Sequence, residues 1–469
     1  MTRAVREALA DCGSPAGDRL LGRLQSLRVM VPLSWHYVNP ALLVAGDLGV
    51  APRELAVSAI GGNSPQSIAG DTARAIAAGE LDVAVLTGAE AIATRVAARR
   101  HPDRPVLPWT SQPPGTPAPV VLGTDREPVT DVERSHGLDR PLRVFPLFAN
   151  ALRAASGRSI EEDQLLVSQL WSRFSAVAAD NPCAWSRHAV SAEDIRTVSP
   201  ANRMIAFPYP KLMNANDRVD MAAAVVMCSL EAARAAGVSD DHMVFPWSSA
   251  DAHDHWFLSH RNDLHSSPAI RLAARAALGG AGVGVDDIAH VDLYSCFPCA
   301  VQIAAGEIGL SLDDPARPLT VTGGLTFAGG PGNNYVTHSI ATMAHRLRRQ
   351  PDTLGLVTGL GWYATKHAVG VWGGTPPPHL FQPANPQAEV DALPQRAPAD
   401  AEGLMTVETY TVVHDREGRP ELGIVALRSD EGGRAWGTTT DEDTLTALMR
   451  EEGCGRTARL HGEGRVDIR

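Results

Sequence analysis

Short apolar runs and longer amphipathic stretches alternate along the first ninety residues. Val29 to Val31 reads as a buried strand, NPALLVAGDLGV (39–50) as an amphipathic helix, and ELAVSAI (54–60) as a strand running into GGNSPQS (61–67). The stretch 67–81 places Ile68, Ala69, Thr72, Ala75 and Ile76 at helical spacing, and DVAVLTGAEA (82–91) is a further buried strand. Such alternation predicts a mainly parallel sheet covered by helices. The chain opens on a helical segment, 4–11, closed by Cys12-Gly13. A sheet that has lost its first strand is expected to carry an unpaired edge, and a truncated start is the expectation here.

Residues 96–199 break the rhythm. Prolines cluster at 102–118, and helical stretches follow at 144–155 and 161–179, which predicts an inserted loop domain. Alternation resumes with a strand at 222–229 and a short helix. A helix from Ser266 to Leu278, a strand at 287–295, a helix at 300–310, the loop GGLTFAGGPGNN (323–334), a helix at 335–350 and a strand pair at 353–361 and 368–374 then echo the order of 4–91. This predicts two similar α/β halves, one from 1–95 with 200–255 and one from 256–375. A Pro/Ala-rich linker spans 376–400. The remainder, 401–469, reads as a small β-rich domain with a hairpin at 405–413 and 421–429, of the oligonucleotide/oligosaccharide-binding (OB) barrel type. A lid or protein-contact role is expected of it.

Composition narrows the partners. The 469 residues carry 42 basic and 53 acidic side chains, a net charge of −11, so the surface repels nucleic acid unless it holds a local basic patch. Six scattered cysteines fit a reducing cytoplasm. No apolar run approaches the ~20 residues that span a bilayer, and no apolar leader is visible, so neither a membrane span nor secretion is expected. Lys211 and Lys366 are the sole lysines, which leaves two candidates for a Schiff-base amine.

Four glycine-rich or polar turns stand at strand-to-helix junctions: GGNSPQS, YSCFPC (294–299), GGPGNN (329–334) and TGLGW (358–362). Their order, together with LDVAVLTGAEA and NANDRVDMAAAVVM, resembles the thiolase superfamily over roughly residues 1–375. The similarity is greatest to the sterol-carrier-protein-thiolase-like branch and its members with an added C-terminal domain. The resemblance implies two βαβαβ layers, an inserted loop domain and acyl-CoA chemistry, with an acetyl-CoA acetyltransferase as the activity. It also implies a site whose catalysts are replaced. The nucleophilic cysteine of thiolases corresponds to Gly62, the Gly-His-Pro histidine to Gly330, the second cysteine to Thr358, and the oxyanion-water residue to Tyr294. Glycine can neither attack a thioester nor take a proton, so Claisen and thiolytic turnover is expected to be absent or weak. Backbone N–H groups of the glycine-rich turns remain able to polarise a thioester carbonyl. Gly329, Gly332, Asn333 and Gly361 are the expected substrate-binding positions. Acyl-CoA is the expected ligand, without a resident cofactor or metal, and a homodimer is an expectation from the family.

Other residues keep alternatives open. Tyr294 and Tyr335 are packed aromatics or phenols that move a proton on a β-hydroxyacyl-CoA, which would make the protein an aldolase-type lyase. Cys296 is the remaining nucleophile candidate, and its CFPC context copies a redox motif weakly. Ser64 is expected to cap the helix that follows it rather than attack. His338 could stand in for a base. His253 and His255 lack a third ligand at a telling spacing. A non-enzymatic scaffold is the third alternative.

Overall fold

A computed structural model describes residues 1–399 and 402–469. The first elements are helices α1 (Thr2–Asp11) and α2 (Ala16–Leu21), strand β1 (Ser26–Val29), helix α3 (Pro40–Leu48), strand β2 (Glu54–Ser58), helix α4 (Ser64–Ala77), strand β3 (Val83–Ala91) and helix α5 (Ile92–Arg100). Local signals set these boundaries. In α3, Asn39 Oδ1 accepts from Leu42 N at 3.0 Å, Pro40 occupies the first turn, and Gly49 ends the helix at φ +71°.

The inserted segment supplies strand β4 (Val120–Leu122), then α6 (Asp131–Ser135), α7 (Pro141–Ala155), α8 (Ile160–Asp180) and α9 (Ala192–Arg196), and the short strands β5 (Met204–Ala206) and β6 (Tyr209–Pro210). Strand β7 (Asp220–Cys228) and helix α10 (Leu230–Ala236) complete the first half. Its sheet runs β4-β2-β1-β3-β7, parallel except at β7. Strand β1 is bonded on both flanks, Ser26–Val29 lying opposite Glu54–Val57 and Ala84–Thr87. β1 is therefore an interior strand, and the open edges of the sheet are β4 and β7. The neighbouring strands close directly on β1, while α1 packs over β7.

The second half holds β8 (Phe245–His253), α11 (Pro268–Ala281), β9 (Ile288–Asp292), α12 (Pro298–Ile308), the one-turn α13 (Gly324–Phe327), α14 (Tyr335–Arg349), β10 (Leu354–Gly361) and β11 (Lys366–Gly373). Its sheet runs β12-β8-β11-β10-β9, where β12 is Pro383–Ala384. Strand β8 was not legible in the sequence, because its centre is Ser248, Ser249 and Ala250. Small residues are needed there: Gly70 of α4 lies close against Ser249, and Ser248 Oγ donates to Ala277 O at 2.6 Å. Helices α4 and α14 lie between the two sheets and touch strands of both. The turns that precede these helices are thereby brought together at the centre of the molecule.

The stretch expected to be a linker is built into the fold: β12 pairs with β8, and α15 (Gln387–Asp391) packs on α11. Its boundary with the last unit, at 400–401, lies outside the described residues. Strands β13 (Gly403–His414), β14 (Pro420–Arg428), β15 (Arg434–Thr439), β16 (Thr457–Leu460) and β17 (Val466–Ile468), with α16 (Glu442–Arg450) between β15 and β16, form a sheet ordered β15-β14-β13-β16-β17. A parallel bridge from Thr438 to Arg465 brings its two ends together, which gives a partly closed five-stranded barrel of the OB type. The barrel is not free-standing. Val413, Ile424, Ala426 and Trp436 belong to the main hydrophobic core. The buried Arg434 guanidinium bonds Glu408 at 2.6 and 2.8 Å and donates to the carbonyls of Leu258 and Arg261 at 2.6 and 2.7 Å. A buried pair with its donors satisfied fixes orientation more than it adds stability.

Candidate functional site

The turn between β2 and α4 is held by hydrogen bonds from the α14 side. Asn333 Oδ1 accepts from Gly61 N at 2.9 Å, and Asn333 Nδ2 donates to Val31 O at 2.8 Å. Asn334 Nδ2 donates to Gly88 O at 2.8 Å. Asn333 thus positions the Gly61–Gly62 backbone. Ser64 does not cap α4: it is the first helical residue, and its hydroxyl donates to Ala59 O at 3.1 Å, back into the turn. Gly62 N–H has no partner among the described residues. Gly332, at φ +51°, lies against the carboxylate of Glu90, which accepts from Leu33 N and Ser34 N at 2.7 Å each and whose pKa is raised by burial. Gly329 packs on Met221, and Gly330 N donates to Asn216 O at 2.9 Å.

Tyr294 enters from the opposite half. Its backbone N donates to Thr358 Oγ1 at 2.9 Å, and its ring meets Tyr335 edge-on at 5.6 Å between centroids. A Cβ at Gly62 would overlap the Tyr294 hydroxyl and lie 2.6 Å from the Leu360 carbonyl. The phenol therefore occupies the volume into which a side chain at 62 would project. Burial, with Cys296 adding to it, holds this phenol above its ordinary pKa, so it stands as a neutral O–H. Tyr335 is engaged elsewhere. Its hydroxyl shares a 2.6 Å bond with Thr322 Oγ1 and donates to Asp292 at 3.2 Å, and Asp292 also accepts from Ser339 Oγ at 2.8 Å and Val321 N at 2.9 Å. Burial and the neighbouring Asp292 raise its pKa well above the usual value.

The two cysteines of CFPC are free and buried. Burial pushes Cys296 well above an ordinary thiol and Cys299 to about 12, which outweighs any effect of the α12 N-terminus. Cys299 Sγ donates to Phe145 O at 3.3 Å. Neither supplies a thiolate at neutral pH in this state.

Lys366, singled out in the sequence by its rarity, is placed against the Gly61 turn. Its Nζ donates to Ile60 O at 2.6 Å and Thr124 O at 3.2 Å, and lies 5.9 Å from the Trp362 ring centroid. Burial lowers its pKa to about 8. Gly361 lies against this amine's Cε and against Asn63 Oδ1, a buried acceptor without a partner among the described residues. His367, Asp254 and Ser267 also converge, with contacts of 3.2 and 3.4 Å to His367. Both reach the same nitrogen, Nε2, so no proton relay of the serine-hydrolase kind is formed. Ser267 caps α11 instead. His338 is half-buried in α14 with its Nε2 enclosed, and desolvation lowers its pKa to about 4. His253 Nδ1 contacts the Asp254 carbonyl at 2.9 Å. Among the described residues no cluster of three His, Cys, Asp or Glu side chains is placed to hold a metal, and no helix is long and apolar enough to cross a membrane.

Two narrow cavities adjoin at Ile270, Ala300 and Leu360. One is lined by Phe145, Phe148 and Arg261, the other by Tyr294, Thr358 and His367, and each has about 10 Å³ of room. That is space for about one water. Together they mark a mostly apolar crevice that ends at the phenol.

Paired five-stranded sheets around two central helices, with glycine-rich turns meeting between them, define a thiolase-superfamily protein. Residues 386–465 match the family model for the additional C-terminal domain of thiolase-like protein type 1. The crystal structure of a monomeric SCP2-thiolase like protein type 1 from Mycobacterium smegmatis is similar along the whole chain. Its TM-score is 0.84 and its identity 33%, covering 100% of this chain and 94% of that one. The chain belongs to this family, the SCP2-thiolase-like proteins of type 1. An Ltp2-ChsH2(DUF35) aldolase (TM-score 0.58, 20% identity, 79% of this chain and 91% of that one) shares the fold. So does the Acat5 thiolase from Ascaris suum, solved in complex with coenzyme A (TM-score 0.56, 16% identity, 79% and 92%). No curated protein matches the sequence.

Proposed function

We propose that this protein binds an acyl-CoA thioester in the crevice at Tyr294 and does not carry out thiolysis or Claisen condensation through an acyl-cysteine. One observation carries the reading: the Tyr294 hydroxyl fills the place beside Gly62 where a nucleophile would stand. The unpartnered Gly62 N–H and the neutral phenol are two donors suited to a thioester oxygen. The crevice must widen to admit an acyl group, since it now has room for about one water. Coenzyme A enters as part of the ligand, and no resident cofactor is called for.

Incubation with acetoacetyl-CoA and CoA tests the chemistry. No cleavage is expected, and turnover at ~1 per second or more would refute the proposal. Calorimetric titration with acetyl-CoA and longer acyl-CoA thioesters tests the binding.

A second reading, an aldolase-type lyase on β-hydroxyacyl-CoA, is favoured by the same phenol. Here Tyr294 would move the proton while Tyr335, bonded to Asp292, orients the ring. Release of an aldehyde or ketone that Tyr294→Phe abolishes would support it, and release unaffected by that change would exclude Tyr294. A scaffold role would use the barrel's outward surface, because its inner face is docked on the core. As for self-association, β4 covers the outer edge of β2 and is itself the short, exposed end strand of the sheet.

A further inference from the structure

We propose that a second ligand site, for a phosphorylated small molecule, lies where the inserted segment meets the barrel. A cavity of about 410 Å³ opens there. Arg140 and Arg143 reach it from the start of α7, Arg203 from the approach to β5, and Arg416 from the turn between β13 and β14. None of these four guanidinium groups has a carboxylate partner among the described residues. Arg143 bonds at most the Gly137 carbonyl at 3.5 Å. Arg203 NH1 donates to the carbonyls of Met204 and Asp415 at 3.1 and 3.2 Å, which holds it across the mouth of the turn and leaves its NH2 free.

The acidic residues of the cavity wall do not cancel this charge. Asp415 accepts from the backbone N of Glu417 and Arg419 at 2.9 Å each and from Arg419 Nε at 2.8 Å. Glu417 lies 3.6 Å from the Arg419 guanidinium. Arg419, outside the cavity, offsets one of these two negative charges, so the four arginines face Glu421 and one further carboxylate and the wall stays net positive. In a chain of net charge −11, such a convergence marks a place for an anion. Guanidinium forks suit phosphate oxygens, which accept two bonds at once. The volume is within the range of small-molecule pockets. Leu142, Ile205 and Val413 give the wall an apolar side for a ring or chain attached to the phosphate.

The site is separate from the acyl crevice. On α7, Arg140 and Arg143 line the basic cavity, while Phe145 and Phe148 line the crevice. Phe145 stacks on Phe297, just ahead of α12, at 4.4 Å between centroids. One helix therefore carries a wall of each.

The test is calorimetric titration of the full chain with pyrophosphate, ATP, CoA and adenosine at fixed low salt. Pyrophosphate and ATP are expected to bind, and adenosine not. Arg140→Ala with Arg416→Ala, at two exposed positions, is expected to weaken the phosphate-bearing probes at least tenfold. Parallel loss for CoA would assign the ligand's phosphates to the coenzyme; loss confined to pyrophosphate and ATP would assign them to a free nucleotide or phosphate ester. Unchanged binding in the double variant, no binding of any phosphate probe, or adenosine binding as tightly as ATP would overturn the site. Circular dichroism of the variant establishes that its fold is intact, and survival of any acyl-CoA binding after loss of pyrophosphate binding separates this site from the crevice.

Discussion

The two strand-to-helix junctions at the centre of the molecule share an architecture and divide the chemistry unequally. Between β2 and α4 the chain presents Gly61 and Gly62, a bare backbone whose Gly62 N–H has no partner among the described residues. Between β9 and α12 it presents Tyr294, Cys296 and Phe297, all buried. The space beside Gly62 is filled by Tyr294 from the other junction, because a close-packed interior keeps few voids. The difference teaches that the two junctions are coupled in space: a side chain at Gly62 would meet the Tyr294 phenol of the opposing half.

The strongest way to break this comparison is to remove the phenol. Tyr294→Ala should cost ~3–5 kcal/mol in denaturant unfolding by analogy with other aromatic truncations in cores. Gly62→Cys alone should cost ~1–3 kcal/mol through overpacking against Tyr294 and Leu360. In the Tyr294→Ala background the cysteine should be markedly cheaper, with a coupling of ~1 kcal/mol or more. Additivity within ~0.3 kcal/mol would show that the junctions do not share the space.

A smaller effect sharpens the glycine side. Between about pH 8, where Lys366 titrates in the folded chain, and about pH 10.5, its ordinary value, the unfolded chain binds more protons than the folded one. Stability due to this group therefore rises with pH across that window, by up to ~3 kcal/mol. The stability of the natural protein relative to Lys366→Met, followed by chemical denaturation at each pH, should rise accordingly. A difference independent of pH would mean that the amine is not desolvated. Smaller again, Asn333→Ala should cost ~2 kcal/mol by stranding the Gly61 N–H and the Val31 carbonyl. If acyl-CoA binding falls more than stability does, Asn333 acts on the turn that receives the ligand; if binding is unchanged in the folded variant, the turn does not need it.

Much of the architecture was legible because short apolar runs such as 83–86, and the periodicity of 335–350, identify buried strands and helices by themselves. The OB-type barrel was legible from its alternating hairpin. Strand β8 was not, since its small polar residues make sense only under the helices that cross it. The Pro/Ala stretch before the barrel read as a linker because the partner strand that pairs with Pro383 and Ala384 is remote in sequence. For the site, the motif order picked out Gly62, Tyr294 and Thr358, which the fold brings close together, whereas the bonds of Asn333 to Gly61 and Val31 and the approach of Gly361 to Asn63 join segments remote in sequence and had no local signal. Ser64 looked like a cap because a serine before a helix usually is one, yet here the helix starts a residue too early for that.

Sequence by itself determined the layered α/β class and the family resemblance, for these depend on residue identity and local period. Tertiary structure alone decided that a tyrosine from the second half stands in the space beside Gly62, that Lys366 is desolvated against Ile60 and Thr124, and that four arginines share one cavity. Those facts rest on distances between segments remote along the chain, which are set only when the two sheets, the middle helices and the barrel pack together.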